Sequence, residues 1–306
     1  MKITVINVLV ILILMSSYSY IKKENNDLSE FNLKGKVKSI REYTYENIDN
    51  VGDIQNNKPN GKFVLCYNIK GNLTKRDSYH SDGRLVVNHI YKYDNDGFLI
   101  ERIVFTLGEM DFGYTFKYDD KGNEIESTSY NSDGNLDYTI IFKYDINGNL
   151  VEKIRYNSNG KFEEKSKYTY DDKDIKMDGI WIMYNSDGGI ELKTVYKYDD
   201  RGNEIEINLY QTDGSITEKH KQNFDDNGNI IESISFYPNG NIYSKDTYEF
   251  DNNGNQIEMN SYNSNSENVK NDTTEYEYDE NENWIKKIDY ENKIVSTIYI
   301  REIEYY

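Results

Sequence analysis

Apolar and polar residues alternate over short stretches of this chain, and glycine-containing turns separate the stretches. Phe142 and Tyr144, for example, stand two residues apart with Lys143 between them. Successive residues of a β-strand point to opposite faces, so this spacing places both rings on one face and the lysine on the other. The pattern predicts a series of strands, each with one aromatic face and one polar face.

Two short phrases recur and divide the chain into repeats of about 26 residues. The first phrase is exemplified by YDDKGN from Tyr118, and the second by YNSDG from Tyr130. Copies of the first phrase follow one another at intervals of 25 to 28 residues, which is typical of a repeat architecture. Each unit therefore contains two strands and two turns. The leading aromatics of the first phrase are Tyr67, Tyr93, Tyr118, Tyr144, Tyr170, Tyr198, Phe224, Phe250 and Tyr278.

Both phrases have the composition of tight turns. In Asp-x-x-Gly the aspartate side chain accepts a backbone N–H two residues further on, which favours a type I turn. The glycine four residues after the tyrosine, such as Gly122, then takes the left-handed conformation of a G1 bulge. We therefore expect hairpins with connections of three to five residues.

For the strand after the first phrase, the sequence does not decide which side chains face the core. Ile125 and Tyr130 begin and close one such strand, and their separation places them on opposite faces. Either a bulge intervenes, or both faces carry apolar surface. A further set of apolar residues, two positions after the second-phrase glycine, is expected on the face of the paired rings. These residues are Leu85, Leu136, Phe162, Ile190, Ile216 and Ile242.

These features predict an all-β fold, a long twisted antiparallel meander of about eighteen strands built from double-strand repeats. Right-handed twist makes long open sheets curl, so we expect a coiled sheet or solenoid-like spiral with the aromatic stripe inside. Residues 20–62 lack the phrases and are expected to form an N-terminal cap. Residues 63–306 would form the repeat domain, with IVSTIYIREIEYY (294–306) as its C-terminal capping strands.

Composition excludes several classes of protein. The chain has 306 residues and a net charge of −18, with 54 acidic and 36 basic residues. Thirty tyrosines are far too many for a disordered acidic chain. The negative charge argues against binding to nucleic acid or to anionic lipid, because both need clustered Lys and Arg. Cys66 is the only cysteine, so no disulfide framework exists.

Residues 1–19 have the pattern of an export signal. One lysine precedes an apolar run from Ile3 to Met15, which is too short to span a bilayer. Ser17 and Ser19 fit the small-residue positions before a cleavage site. We expect an exported protein, located in the periplasm, at the cell surface or secreted, with no membrane span after cleavage.

Several segments resemble a known bacterial repeat. KYDDKGNEIE (117–126) and FKYDINGNLVE (142–152) resemble the YD repeats of Rhs-type wall and toxin-delivery proteins. DGIWIMYNSDGGIELK (178–193) is similar to a MORN-type variant repeat of some proteins labelled antitoxins. The resemblance covers roughly residues 63–290, although Asn usually stands where the family commonly has Arg after the glycine. It implies a β-sheet spiral of hairpins with packaging, adhesion or carbohydrate binding outside the cytoplasm.

Residues that could support catalysis or metal binding are sparse. His80, His89 and His220 are not spaced as metal-binding pairs, and no nucleophile elbow, zinc motif or phosphate loop occurs. The Asp-rich turns lack the ligand spacing of an EF-hand, and the turn geometry already accounts for their aspartates. We expect no enzyme activity, no cofactor and no bound metal.

The sequence therefore indicates a noncatalytic scaffold that binds a protein or glycan partner in the cell envelope. One alternative is an antitoxin-like or immunity partner of an extracytoplasmic toxin, and another is a carbohydrate-active enzyme. Partners would bind through exposed rings, or by adding a strand to a free sheet edge. Met110, Phe112, Trp181 and Trp284 are the candidate binding residues.

Two irregular units, Phe105–Gly113 and Asp174–Gly179, are the places where the repeat departs from its pattern. Departures of this kind often mark insertions or sites, so these units are the first segments to inspect.

Overall fold

The computed structural model describes residues 26–46, 52, 54, 57–170, 176–184 and 188–306. The expected export signal at 1–19 lies outside the described residues. The elements in chain order are α1 Asp27–Glu30, β1 Val37–Glu46, β2 Gly61–Tyr67, β3 Leu73–His80, β4 Leu85–Tyr93, β5 Leu99–Thr106, β6 Glu109–Tyr118, β7 Glu124–Tyr130, β8 Leu136–Tyr144, β9 Leu150–Asn157, β10 Phe162–Tyr170, β11 Lys176–Tyr184, β12 Ile190–Tyr198, β13 Glu204–Tyr210, β14 Ile216–Phe224, β15 Ile230–Phe236, β16 Ile242–Phe250, β17 Gln256–Asn263, β18 Asn268–Tyr278, β19 Trp284–Glu291 and β20 Ile294–Tyr305.

The strands form one closed antiparallel barrel. Each strand pairs with the next along the chain, and β20 returns to pair with β1 from Val37 opposite Tyr305 to Glu46 opposite Thr297. The expected open meander, coiled sheet or solenoid-like spiral is therefore wrong, and the strands number twenty. The reason lies in the segment assigned to an N-terminal cap, because it contains the regular strand β1. The segment 294–306, expected to supply a strand pair, forms the single strand β20 that meets it.

The turns of the first phrase have the expected geometry. The carboxylate of Asp119 accepts the backbone N–H groups of Lys121 and Asn123 at 2.9 and 2.8 Å. Gly122 has a φ of 83°, which an L side chain rarely adopts. The register shifts beside Tyr118, as a bulge requires. The same arrangement recurs around the barrel, so the first-phrase turns all lie at one end, here called the Asp-turn end.

The tyrosine that leads the first phrase ties two neighbouring strands together at this end. The hydroxyl groups of Tyr93, Tyr118, Tyr144 and Tyr170 donate to the carbonyl oxygens of Leu73, Leu99, Glu124 and Leu150 at 2.7–2.8 Å. In each case the two strands are joined by a turn only at the opposite end. The hydrogen bond therefore closes the end of the hairpin that has no covalent connection.

The N-terminal segment identifies the concave side of the sheet. Asn26 donates to the carbonyl of Lys70, in the β2–β3 turn, and Asn32 donates to that of Asn253, in the β16–β17 turn. Six strand spacings separate these turns, about 29 Å along the sheet. The intervening backbone, which includes α1, spans only about 13 Å. Such a segment bridges the two turns only as a chord on the concave side.

The side chains under this segment mark the inner face of the barrel. Leu28 and Leu33 pack in one apolar cluster with Ile40, and Leu65 and Tyr91 pack against it. Residues directly opposite one another in neighbouring strands share a face. The pairing registers therefore identify the inward residues of each of the other strands in turn. The expected aromatic stripe, which includes Tyr91, therefore lies on the inner wall.

The inner wall is not a packed core. Tyr114, Phe116 and Tyr138 face inward, yet each is only half-buried. Aromatic side chains in a close-packed interior are excluded from water much more completely. Solvent therefore reaches part of the inner wall, although Val104 and Phe142 on the same face are almost fully buried.

Both alternatives left open for the strand after the first phrase occur. Ile125 is the extra residue of a bulge, because Glu124 pairs with Tyr118 and Glu126 with Lys117. Tyr130 lies on the outer face. The apolar residues expected beside the inner rings are mostly exposed; Leu85, Leu136, Ile190, Ile216 and Ile242 each expose more than a third of their surface.

Replacing Tyr144 by Phe removes the hydroxyl that closes the β7–β8 hairpin and leaves the ring in place. We expect Tyr144→Phe to lower the free energy of unfolding by about 1 kcal/mol, the usual net contribution of one hydrogen bond. Denaturant titration followed by circular dichroism measures it. Tyr130→Phe, on the outer wall, is the matched control and should change little. Equal losses in the two variants would contradict this role for the Tyr144 hydroxyl.

Candidate functional site

Positively charged and aromatic side chains form a band on the inner wall of β3–β9. Pairing places Tyr91 opposite Arg102, Arg102 opposite Tyr114, and Tyr114 opposite Ser129, which in turn faces Tyr138. All of these residues point inward because they share the parity of Tyr91. We call the following residues the cation–aromatic row: Arg76, His89, Tyr91, Arg102, Tyr114, Tyr138, Lys153 and Arg155.

Arg102 occupies the middle of the first half of the row. Its guanidinium carbon lies 5.8 Å from the ring centroids of both Tyr91 and Tyr114, within the range of a cation–π interaction. Its Nη2 donates to Nδ1 of His89 at 3.2 Å, since an arginine can only donate. Its Nε is buried and has no hydrogen-bond partner. The rings hold the guanidinium in position but do not neutralise its charge.

His89 is kept neutral by this environment. Burial, together with the charges of Arg102 and Arg76, lowers the pKa of its imidazole to about 4. A neutral imidazole accepts the Arg102 hydrogen bond, whereas a protonated one would repel the guanidinium. The positive charge of this part of the row is therefore carried by the two arginines.

Arg155 and Lys153 form the second half of the row, on β9. The guanidinium of Arg155 lies 4.0 Å from the ring centroid of Tyr138 and reaches the carboxylates of Glu163 and Glu164, each at 3.4 Å. Burial and a hydrogen bond with Tyr114 raise the pKa of the Tyr138 hydroxyl to about 12.

Lys153 lies one position closer to the Asp-turn end on the same face. Its ammonium group is 6.0 Å from the centroid of the Phe142 ring, and burial lowers its pKa. Within the described part of the chain, no carboxylate lies at ion-pair distance from Lys153, Arg102 or Arg76. These three cations are therefore only partly compensated by nearby aromatic rings.

On the outer wall, by contrast, lysines form ion pairs with carboxylates. Cross-strand pairs join Lys117 to Glu126 and Lys143 to Glu152, each at 2.7 Å. These pairs stand on neighbouring strands near the Asp-turn end, and each lysine directly precedes a first-phrase tyrosine. The repeat thus places a carboxylate opposite each of these outer lysines.

The far side of the inner wall also pairs its cations. Lys287 donates to Asp289 and Lys270 lies against Asp272, at 2.9 and 2.6 Å. Arg301 donates to the carboxylate of Glu42, again at 2.9 Å. Lys287 occupies the repeat position that Arg102 and Lys153 occupy on their own strands. The absence of ion pairs at Arg76, Arg102 and Lys153 is therefore a local property and not a consequence of the inner face.

The four residues proposed from sequence do not form one site. Phe112 lies on the inner wall with its ring centroid 5.6 Å from that of Tyr114, beside the row. Trp181 faces inward on β11, opposite Ser166. Trp284 is covered by the guanidinium of Arg301, 3.2 Å from its ring centroid.

Met110 lies on the outer face. Its terminal methyl group stands beside Gly113, 3.2 Å from the position that a Cβ would take there. All four proposed residues are half-buried, and only Phe112 adjoins the row. Their binding role stays a prediction.

The irregular units contain no inserted segment among the described residues. In Phe105–Gly113 the chain turns through Leu107 and Gly108, both with positive φ, so β5 and β6 are joined by two residues. Residues 174–175 lie outside the description, and β11 begins at Lys176 with a register shift against β10 between Thr169 and Tyr170. Gly179 leaves room for a ring, since a Cβ there would come within 3.2 Å of Tyr168.

Sequence reasoning missed the row although a signal was present. In the strand after the first phrase, the residue nine positions after the leading aromatic faces inward. Most repeats place a small or apolar residue there, such as Ser127 or Ile207, whereas Arg102 and Lys153 are basic. Lys287 is basic at the same position but has Asp289 two residues further on, so the signal for the row is a basic residue there without that acid.

Other kinds of site find no support in the described residues. They contain no group of three or more His, Cys, Asp or Glu side chains that could hold a metal ion. No helix in the described ranges is long and apolar enough to cross a membrane.

Comparison with known proteins adds little to this picture. No family model and no curated protein matches the chain. Among solved structures, a porin-like protein from Bacteroides uniformis ATCC 8492 is 13% identical, over 89% of this chain and 98% of that chain, with a TM-score of 0.38. A porin-like protein from Bacteroides vulgatus ATCC 8482 is 11% identical, over 88% of this chain and 98% of that chain, with a TM-score of 0.33.

The solved structure of TcdB2-TccC3 is also similar. It is 14% identical over 80% of this chain, which spans only 17% of that chain, and the TM-score is 0.27. At these TM-scores none of the likenesses carries an inference about function. The resemblance to YD repeats is not confirmed by a family model.

His89 should make stability depend on pH. Between about pH 4 and 6.5 the unfolded chain binds a proton at this imidazole and the folded barrel does not, so stability rises with pH across that window. We expect the unfolding temperature to fall between pH 7 and pH 5, and to fall less in His89→Gln. His80→Gln, at an exposed turn, should behave like the unaltered protein. An unchanged pH dependence in His89→Gln would contradict the assignment.

Proposed function

We propose that this protein is a noncatalytic scaffold of the cell envelope that binds a ligand on the inner wall of its barrel. The observation that carries the proposal is the cation–aromatic row, where half-buried rings and incompletely compensated cations face the inside of the barrel. Rings that remain accessible to solvent supply flat contact area for a ligand at low entropic cost, and the arginines supply directional hydrogen-bond donors.

Closure of the sheet changes the expected mode of binding. Strand addition needs a free edge with unpaired backbone groups, and β1 and β20 pair with each other in the described barrel. A partner therefore binds through side chains of the wall. This weakens the alternative of an immunity protein that captures a toxin along a sheet edge.

The outer wall supports a location in water rather than in lipid. Lipid-facing strands of transmembrane barrels carry a continuous apolar band, and charged side chains there are destabilising. Here the outer face carries the Lys117–Glu126 and Lys143–Glu152 pairs, and Glu206 lies near three lysines. Together with the export pattern at residues 1–19, this favours a periplasmic, surface-attached or secreted barrel.

A glycan array probed with the labelled protein tests the proposal. We expect one glycan class to be retained, and retention to fall at least about tenfold in Tyr114→Ser/Tyr138→Ser, since the two rings lose their stacking contacts. The matched control Tyr130→Ser/Tyr156→Ser removes two outer-wall tyrosines and should bind like the unaltered protein. Retention of no glycan, or equal retention by the inner-wall variant, would overturn the proposed role of the inner wall.

A further inference from the structure

We propose that the cation–aromatic row binds an acidic oligosaccharide, a chain of sugar units that bears carboxylate or sulfate groups at intervals. This inference rests on the proposed function and specifies its ligand. It follows from three properties of the row, namely cations that lack carboxylate partners, their spacing across the strands, and the rings between them.

The cations without carboxylate partners are the first property. Holding a cation in a partly dehydrated place is unfavourable unless an anion compensates it. The chain has 18 more acidic than basic residues, so carboxylates are not scarce. Lys287, at the equivalent repeat position on β19, has Asp289 at 2.9 Å. Arg102 and Lys153 have no such partner, and an anion from outside the chain would supply it.

The spacing of the charges is the second property. Arg76, Arg102 and Lys153 stand on β3, β5 and β9, so successive cations are separated by two and by four strand spacings, about 10 and 19 Å. A ligand laid across the strands therefore meets positive charge at multiples of one interval. Such a periodic array suits a polymer whose anionic groups recur at a regular distance.

The charge density excludes more highly charged polymers. From β3 to β9 the row extends over about 29 Å and offers Arg76, Arg102, Lys153 and Arg155. A nucleic acid strand of that length carries about eight phosphates, one per 3.4 Å, and the net charge of the protein would repel the excess. An acidic peptide presents carboxylates at a similar density, and no sheet edge is free to pair with its backbone.

The rings are the third property. Tyr91 and Tyr114 flank Arg102, and Tyr138 lies under Arg155, so each guanidinium is next to an aromatic face. A ring face gives apolar contact to the C–H groups of a sugar, and the adjacent guanidinium binds a carboxylate or sulfate through two parallel hydrogen bonds. The row thus alternates the two kinds of contact that an acidic sugar chain presents.

The Lys153 ammonium gives independent support. Burial lowers its pKa, which shows that its surroundings disfavour the charged form without a ligand. The carboxylates that face it more distantly are Glu124 and Glu164, and Arg155 opposes them. A bound anion beside Lys153 would reverse this effect and hold the lysine charged.

Calorimetric titration of the whole protein tests the proposal. The probes are oligogalacturonate, a chondroitin sulfate oligosaccharide, a neutral cello-oligosaccharide and poly-glutamate. We expect both acidic glycans to bind more tightly than the neutral one, and their affinity to fall at least about tenfold in Arg102→Gln/Lys153→Gln, as for loss of charge-assisted hydrogen bonds. Lys287→Gln, whose lysine is paired, should retain the affinity. Added salt should weaken binding less in the double variant.

The outcomes separate this inference from the proposed function. Equal binding of neutral and acidic glycans, or no loss in the double variant, would overturn the acidic ligand and leave glycan binding intact. Equal binding of poly-glutamate would overturn the sugar in favour of a peptide. Binding of none of the four probes, in a protein that also retains nothing on the array, would overturn both.

Stability provides a second measurement that does not need the ligand. Lys153→Met replaces a cation without a carboxylate partner by an apolar chain of similar length, and we expect it to raise the unfolding temperature while weakening acidic-glycan binding. Lys287→Met breaks an ion pair and should lower the unfolding temperature. A fall in both variants would contradict the view that Lys153 is uncompensated in the free protein.

Discussion

The side-chain hydrogen bonds of the Tyr-Asp phrase are the interaction on which the barrel depends. The aspartate binds its own turn, as Asp119 does with Lys121 and Asn123, and the tyrosine closes the adjacent hairpin, as Tyr144 does at Glu124. One phrase therefore fixes both connections of a strand at the Asp-turn end. The aspartate turn recurs at nearly constant intervals, and the tyrosine bond accompanies it at Tyr93, Tyr118, Tyr144 and Tyr170, so the sheet curves uniformly enough to meet itself.

In a closed sheet, one face of each strand lies outside the barrel and the other lies inside it. Outside, lysine and glutamate stand opposite each other, as in the Lys117–Glu126 and Lys143–Glu152 pairs, so these charges are compensated within the chain. Inside, some residues such as Phe142 are almost fully buried, whereas rings such as Tyr114 and Tyr138 stay half-exposed and stabilise the wall by contact with their neighbours. Such a wall tolerates exchange of one residue type for another, because the backbone is held at its turns. Arg102 and Lys153 are exchanges of this kind at a position where other repeats have residues such as Ser127 and Ile207.

The local structure was predictable because it is encoded locally. The turn at Asp119, the positive φ of Gly122 and the shared face of Phe142 and Tyr144 each follow from a few adjacent residues. Closure was not predictable in this way, since the pairing of β1 with β20 joins segments at opposite ends of the chain, and β1 lacks the phrase. The row escaped notice for a related reason. Its residues come from six strands and become neighbours only when the registers are known.

Cations without carboxylate partners are unexpected in a chain that has more acidic than basic residues. If electrostatic stability alone shaped the inner wall, the position of Lys153 would carry a residue such as serine or isoleucine, as in other repeats, or would have a carboxylate beside it like Lys287. Neither holds, although both solutions exist elsewhere in the same barrel. In a repeat protein, equivalent positions share the backbone conformation, the turn and the strand register, and they differ only in side chain. Residues at these positions can therefore be compared directly with one another. The difference between Lys153 and Lys287 therefore isolates what is particular to the row, and an external anion is the partner that accounts for it.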